Sequence, residues 1–154
     1  MKKTLNARSE TLFTTPMYRS AASNRCLVFV DGFFVWKHEG KEKLPHYIQM
    51  PEHGVFTLGG IYTKWRDKEG GELTTCSIIT TPANELMTTI HNSKKRMPLI
   101  LPKNAWSAWL DPKAKREHIE HLMRSYPEGA LEAREISKLI TTRGVETNVP
   151  EVQQ

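Results

Sequence analysis

Apolar and polar positions alternate through most of the first 80 residues, the period of strands with one buried face. Cys26–Val30 and Phe33–Trp36 flank Asp31-Gly32, and a Lys/Glu/Gly tract over Lys37–Lys43 separates them from the alternating His46-Tyr47-Ile48-Gln49-Met50. This pattern predicts paired strands. Val55–Tyr62 reads as a further strand whose Gly59-Gly60 predicts a bulge or a close backbone approach. The charged connection Arg66–Glu72 then leads into a strand over Leu73–Thr80. Beyond Thr80 the period lengthens. Asn84 stands where a helix cap is needed, and Leu86, Met87 and Ile90 share one face, so a short helix is predicted within Pro82–Ile90. Met97–Leu101 reads as a strand. Lys103–Leu110, with Trp106 and Trp109 three apart, and Ala114–Arg124, with Ile119, Leu122 and Met123 inward, read as helices. Ile136–Ile140 is expected to return to the sheet, and the polar last ten residues to form a loosely held tail. The fold class predicted is α+β: a curled, mainly antiparallel, barrel-like sheet with short peripheral helices. A single domain over 1–145 and a polar tail over 146–154 are expected.

With 154 residues, 38% of them hydrophobic and 25% charged, the chain has the composition of an ordinary folded protein rather than a disordered one. No apolar run approaches the ~18 residues that span a bilayer. The basic start, Met1 to Arg8, has no hydrophobic segment behind it, so a cytoplasmic protein without membrane association is expected. Cys26 and Cys76 both sit in apolar, strand-like stretches and are expected as reduced core residues. The six histidines (His38, His46, His53, His91, His118 and His121) are scattered, and Glu117-His118 does not extend to an HExxH. No metal site and no cofactor is expected, since Walker loops, GxGxxG turns and GxSxG elbows are also missing.

The distribution of charge says more than the net +5. Residues 1–50 carry 8 basic and 4 acidic side chains and residues 94–124 carry 8 and 3, whereas the two remaining segments are slightly acidic. A fold that joins the two basic blocks makes a surface suited to a phosphate backbone, and Phe13, Tyr18, Phe33, Phe34, Trp36, Trp106 and Trp109 offer stacking faces. Solvated surface charge over core aromatics is the simpler account of the same residues.

Four stretches, in order, resemble one family. They are Asn6-Ala7-Arg8-Ser9-Glu10-Thr11; Arg25-Cys26-Leu27 leading into Asp31-Gly32-Phe33-Phe34-Val35-Trp36; Ser77-Ile78-Ile79-Thr80-Thr81; and His91 followed by Arg96-Met97-Pro98-Leu99-Ile100-Leu101. Glu135-Ile136-Ser137-Lys138 adds a similarity near the end. Together they resemble the SRAP family, SOS-response-associated peptidases that shield abasic sites in single-stranded DNA. The resemblance implies a nucleoid-associated protein whose partner is single-stranded DNA carrying abasic sites. It also implies a chemistry in which an N-terminal cysteine's amine and thiol close a thiazolidine on the ring-opened sugar. A 1,2-aminothiol is what that ring closure needs, and the same nucleophile suits the family's peptidase-like release of its initiator residue. Carried over by position, Asn6 is the asparagine that positions the reacting groups, His91 the acid–base histidine, Arg8 a phosphate-gripping arginine and Arg96 a DNA-facing member of the basic element. On the residues alone, Asn6 could instead cap a turn, Arg8 pair with Glu10, and His91 close the helix before it.

Two departures accompany these matches. The family places some tens of residues, with the cysteine, ahead of the asparagine motif, where this sequence has Met1–Leu5, so removal of Met1 would expose Lys2 and allow at most a reversible imine. Val35 stands where the family keeps a proton-shuttling glutamate. The expectation is a truncated SRAP-like domain that binds DNA and whose own catalysis is uncertain. A non-catalytic interaction domain, or half of a split enzyme completed by a second polypeptide or by self-association, are the alternatives.

Overall fold

The computed structural model describes residues 5–144, 146, 147, 149 and 152. Their elements, in order, are β1 (Asn6–Arg8), α1 (Pro16–Arg19), β2 (Arg25–Val30), β3 (Gly32–Glu39), β4 (Glu42–Gln49), β5 (Phe56–Arg66), β6 (Glu72–Pro82), α2 (Glu85–Ile90), β7 (Arg96–Pro98), α3 (Trp106–Leu110), α4 (Arg116–Leu122) and β8 (Glu132–Glu135). The fold is α+β, as the hydrophobic period predicts. One sheet runs β1-β6-β5-β2 with β7 also on β6, and a second runs β3-β4-β8. All pairings are antiparallel except β1 with β6, which is parallel. Among the described residues the two sheets do not close into a barrel.

Local chemistry accounts for most boundaries. Asn84 caps α2, its Oδ1 accepting from the Met87 N–H at 3.0 Å. Gly59 meets the chain after β7 at close range: its N–H donates to Leu99 O at 2.8 Å, and a Cβ there would lie 2.7 Å from Leu99 Cδ2. The Gly59-Gly60 signal is therefore a close approach, since the β2–β5 register runs through it uninterrupted. The β5–β6 hairpin turns at Asp67, whose Oδ1 accepts from Glu69 N at 3.0 Å and Gly71 N at 2.6 Å.

Two apolar clusters carry most of the burial. Leu12, Ile79, Leu99, Trp109 and Ile119 pack behind the larger sheet. Val35, Ile48, Phe56, Leu58, Met87 and Met97 fill the space between the sheets and α2. Each such aliphatic side chain removed from water stabilises the fold by about 1.5–3 kcal/mol. Arg25, 8% exposed, ties β2 to α3. Its Nε donates to Trp109 O at 2.6 Å, Nη1 to Ala22 O at 2.8 Å and Nη2 to Asp111 O at 2.5 Å, while the Trp109 indole N–H returns a bond to Cys26 O at 3.0 Å.

The structure corrects several expectations. The returning strand is Glu132–Glu135 on β4, and Lys138–Thr141 is a 3₁₀ turn instead: Ile136 N–H still donates to Pro45 O at 3.0 Å, but Lys138 reaches β4 only by its side chain, at Glu42. Cys76 is exposed rather than in the core, since residues 63–76 of β5 and β6 form an arm beyond the packed sheet; Cys26 is half-buried. The tail is not simply loose: Val152 is 2% exposed and packs with Tyr47 and Ile136, and its carbonyl accepts from Ser137 N at 3.3 Å. Other parts of the last ten residues lie outside the described set. Among the described residues no helix is long and apolar enough to cross a membrane.

Candidate functional site

β1 has only three residues, and no hydrophobic period betrays it. It forms because β6 offers a free edge, on which Asn6, Ala7 and Arg8 stand opposite Ile78, Ile79 and Thr80. The Tyr18 hydroxyl reinforces it by donating to Asn6 O at 2.9 Å. Asn6 is thereby a strand residue rather than a turn cap, and its side chain lines an open cleft of about 830 Å³ between the two sheets. Val35, His91 and Arg96 line the same cleft. Residues 6, 35, 91 and 96, which the sequence presents as separate motifs, thus meet at one place. Arg8 is exposed and does not line the cleft; as the second neighbour of Asn6 in an extended strand it points from the same face of β1. Lys2 lies outside the described residues.

His91 occupies the C-terminal cap of α2, its N–H donating to Met87 O at 2.8 Å, and it also faces the cleft. Its Nδ1 lies 2.7 Å from Arg96 O. A carbonyl only accepts, so Nδ1 carries the proton and in the neutral ring Nε2 is left as the base. This is an oriented imidazole at a cleft wall, suited to general acid–base work.

Arg96 is differently placed. Its guanidinium pairs with both carboxylate oxygens of Glu10, Nη2 at 2.9 Å from Oε2, and Nη2 also donates to Thr80 O at 2.5 Å and Thr80 Oγ1 at 3.1 Å. The side chain is only 16% exposed. The hydrogen bonds from Arg96 hold the Glu10 carboxyl down at about 2. Glu10 therefore belongs to Arg96, not to Arg8, and Arg8 is left without an ion pair among the described residues. This pair joins segments 86 residues apart, so no local signal in the sequence announces it.

Val35 is 8% exposed and belongs to the cluster beneath the cleft, with Leu58 and Met97. A side chain without a proton to transfer stands at this point of the floor. Three further basic side chains at the cleft escaped sequence reasoning: His38, Lys43 and Lys94. Asn92 brings them together. It accepts from His38 N at 3.0 Å and donates to His38 O at 2.8 Å, clamping the turn after α2 to β3, and Lys43 stands opposite His38 across the β3–β4 pair. Among the described residues no carboxylate lines this cleft, whereas Lys43, Lys94 and Arg96 do, beside the aromatic rings of Phe33, Phe34 and Trp36. Such a surface receives an anion with an apolar or aromatic portion. No group of three or more His, Cys, Asp or Glu side chains suited to a metal occurs among the described residues.

Comparison with known proteins agrees with this geometry. The family model for SOS response associated peptidase (SRAP) matches residues 1–143. The chain is 38% identical over 153 residues to the abasic site processing protein YoqW of Bacillus subtilis, covering 97% of this chain and 66% of the relative. It is 32% identical over 130 residues to the abasic site processing protein HMCES of Xenopus tropicalis, covering 71% of this chain and 38% of that one. A crystal structure of a Bacteroides thetaiotaomicron protein superposes with a TM-score of 0.92 at 37% identity, over 98% of this chain and 65% of its counterpart. The chain thus spans slightly less than two thirds of the Bacillus relative's length. Motifs, fold and family model converge: the chain belongs to the SOS response associated peptidase (SRAP) family.

Proposed function

We propose that this chain binds single-stranded DNA at abasic sites along the cleft between the two sheets, with Asn6 and His91 beside the open sugar and Arg8 and the cleft cations on phosphates. The observation that carries this reading is the assembly of Asn6, His91, Lys43, Lys94 and Arg96 around one cleft that no carboxylate lines. Each cation at a phosphate displaces a counterion, so binding falls steeply with salt. Arg96 serves this surface from within a fixed pair: Glu10 holds its guanidinium against Thr80, which sets the wall of the cleft.

The family's thiazolidine route needs an amine and a thiol on adjacent carbons at the sugar. Neither Cys26 nor Cys76 lines the cleft, and burial pushes the Cys26 thiol pKa up, which makes it a poor nucleophile. A valine at position 35 supplies no proton shuttle. The reading is thus of a DNA-binding domain in which neither Cys26 nor Cys76 forms a heat-stable adduct. The test is a gel shift of a single strand carrying one tetrahydrofuran abasic analogue against the undamaged strand, over a salt series. Tighter binding of the analogue with a steep salt slope is expected; salt-independent binding, or none, defeats the reading.

A second reading has its own support. Among the described residues β2 is paired only with β5 and β3 only with β4, and Phe29 on β2 is 60% exposed. Free edges beside an exposed aromatic suit strand addition from a second polypeptide or a second copy of this chain. Abasic-site crosslinking gained on adding a peptide that begins with cysteine would identify a split enzyme.

A further inference from the structure

We propose that the cleft captures an aldehyde as a reversible imine on the side chain of Lys43 or Lys94, with His91 carrying the proton. This rests on the reading that abasic-site DNA occupies the cleft. Three observations lead to it. Lys43 and Lys94 both line the cleft with His91, and among the described residues no carboxylate lines it to draw them into ion pairs. Neither amine has an ion-pair partner among the described residues. Their backbones are fixed relative to His91. Lys94 sits in the tight turn in which Lys94 N and Lys95 N donate to His91 O at 3.3 and 2.8 Å, with Lys95 at a φ of 51°. Lys43 is the cross-strand neighbour of His38, whose backbone is bonded twice to Asn92 of that same turn.

The step balances without oxidant or reductant. The neutral amine adds to the C1′ aldehyde of the ring-opened sugar, forming a C–N bond and a carbinolamine once the oxygen has taken a proton. The imidazolium of His91 then protonates the hydroxyl, which leaves as water; the nitrogen gives its remaining proton to solvent as the C=N bond forms. Hydrolysis reverses each step. Neither Cys26 nor Cys76 lines the cleft, so neither thiol adds across the imine to lock it, and a hydride reagent reduces the imine to an amine.

The test treats the whole chain at pH 8 with a single strand containing one abasic site, with and without sodium cyanoborohydride, followed by a denaturing gel and peptide mapping. The expected result is a band that requires the reductant and maps to Lys43 or Lys94. The K43R/K94R variant keeps the cleft charge but has no amine able to form an imine. Compared at strand concentrations that saturate each protein's binding of the tetrahydrofuran-containing strand, it should lose at least ten-fold of that band. His91→Gln should slow the trapping ~10-fold or more. Trapping that K43R/K94R leaves undiminished, an adduct mapped to the N-terminal amine or another lysine, or a band that survives heating without reductant each overturns the proposal. So does the lack of any band while the tetrahydrofuran strand still binds. Loss of that binding in the parent chain itself would instead refute the occupancy of the cleft by DNA.

Discussion

Arg25 and the cleft residues are both polar groups set between apolar clusters, yet they are satisfied in opposite ways. Around Arg25 every bond closes inside the protein: the guanidinium donates to the carbonyls of Trp109, Ala22 and Asp111, and its charge lies 5.9 Å from the Trp109 ring centroid. Burial lowers its pKa, an effect partly countered by Asp111. At the cleft and beside it polar groups are left open among the described residues: Arg8, next to the cleft, has no ion pair, Lys43 and Lys94 line a cleft without carboxylates, and the His91 ring is bonded at Nδ1 alone. Arg96 is intermediate, anchored by Glu10 and Thr80 yet lining the cleft. Where the bonds close internally the arginine supports the fold. Where they remain unspent, they are available to the proposed ligand.

The sharpest way to break this comparison is Arg25→Ala, which strips the buried carbonyls of Trp109 and Ala22 and the more exposed one of Asp111 of their donor. A loss of about 3–5 kcal/mol is expected in urea unfolding. A loss below ~1 kcal/mol would show the socket to be an ordinary surface contact.

Val35→Glu asks whether position 35 is core or cleft. A carboxyl set among Ile48, Leu58 and Met97 has a folded pKa above its unfolded value, so the variant is destabilised at neutral pH, by about 2–4 kcal/mol, and recovers as pH falls below ~4. Melting temperatures across pH 3–8 measure this. A flat profile would mean that the side chain reaches the open cleft.

Arg8→Ala should leave stability within ~0.5 kcal/mol of the parent, weaken single-stranded DNA binding about five- to ten-fold regardless of base sequence, and lower the salt slope by about 1. Unchanged affinity would remove Arg8 from the proposed interface.

The smallest effect concerns Glu10. Its folded pKa, about 2, lies below the ordinary carboxylate value of 4.5, so its stabilisation is present above pH 4.5 and is lost as pH falls toward 2. Glu10→Gln should cost about 1 kcal/mol at pH 7, discounted because the carboxylate is half exposed, and should flatten that acid limb in calorimetry.

The strand segments Cys26–Val30, Phe33–Trp36 and His46–Gln49, the β5–β6 hairpin, the Asn84 cap and the α+β class follow from alternation and punctuation in the sequence, because each depends on neighbours within a few residues, whereas the Lys37–Lys43 tract, read as a connection, continues β3 to Glu39 and opens β4 at Glu42. Family membership was legible for a similar reason: short motifs keep their order whatever the intervening chain does. The juxtaposition of positions 6, 35, 91 and 96 and the Glu10–Arg96 pair were decided only by the tertiary structure, as were the exposure of Cys76 and the packing of Val152. Each depends on partners tens of residues away, and one side chain's environment in a folded chain is set by what the sheet brings beside it, not by its neighbours in sequence. The sequence by itself thus determined the elements and the family, while the tertiary structure decided which polar groups close on the protein and which stay open to a ligand.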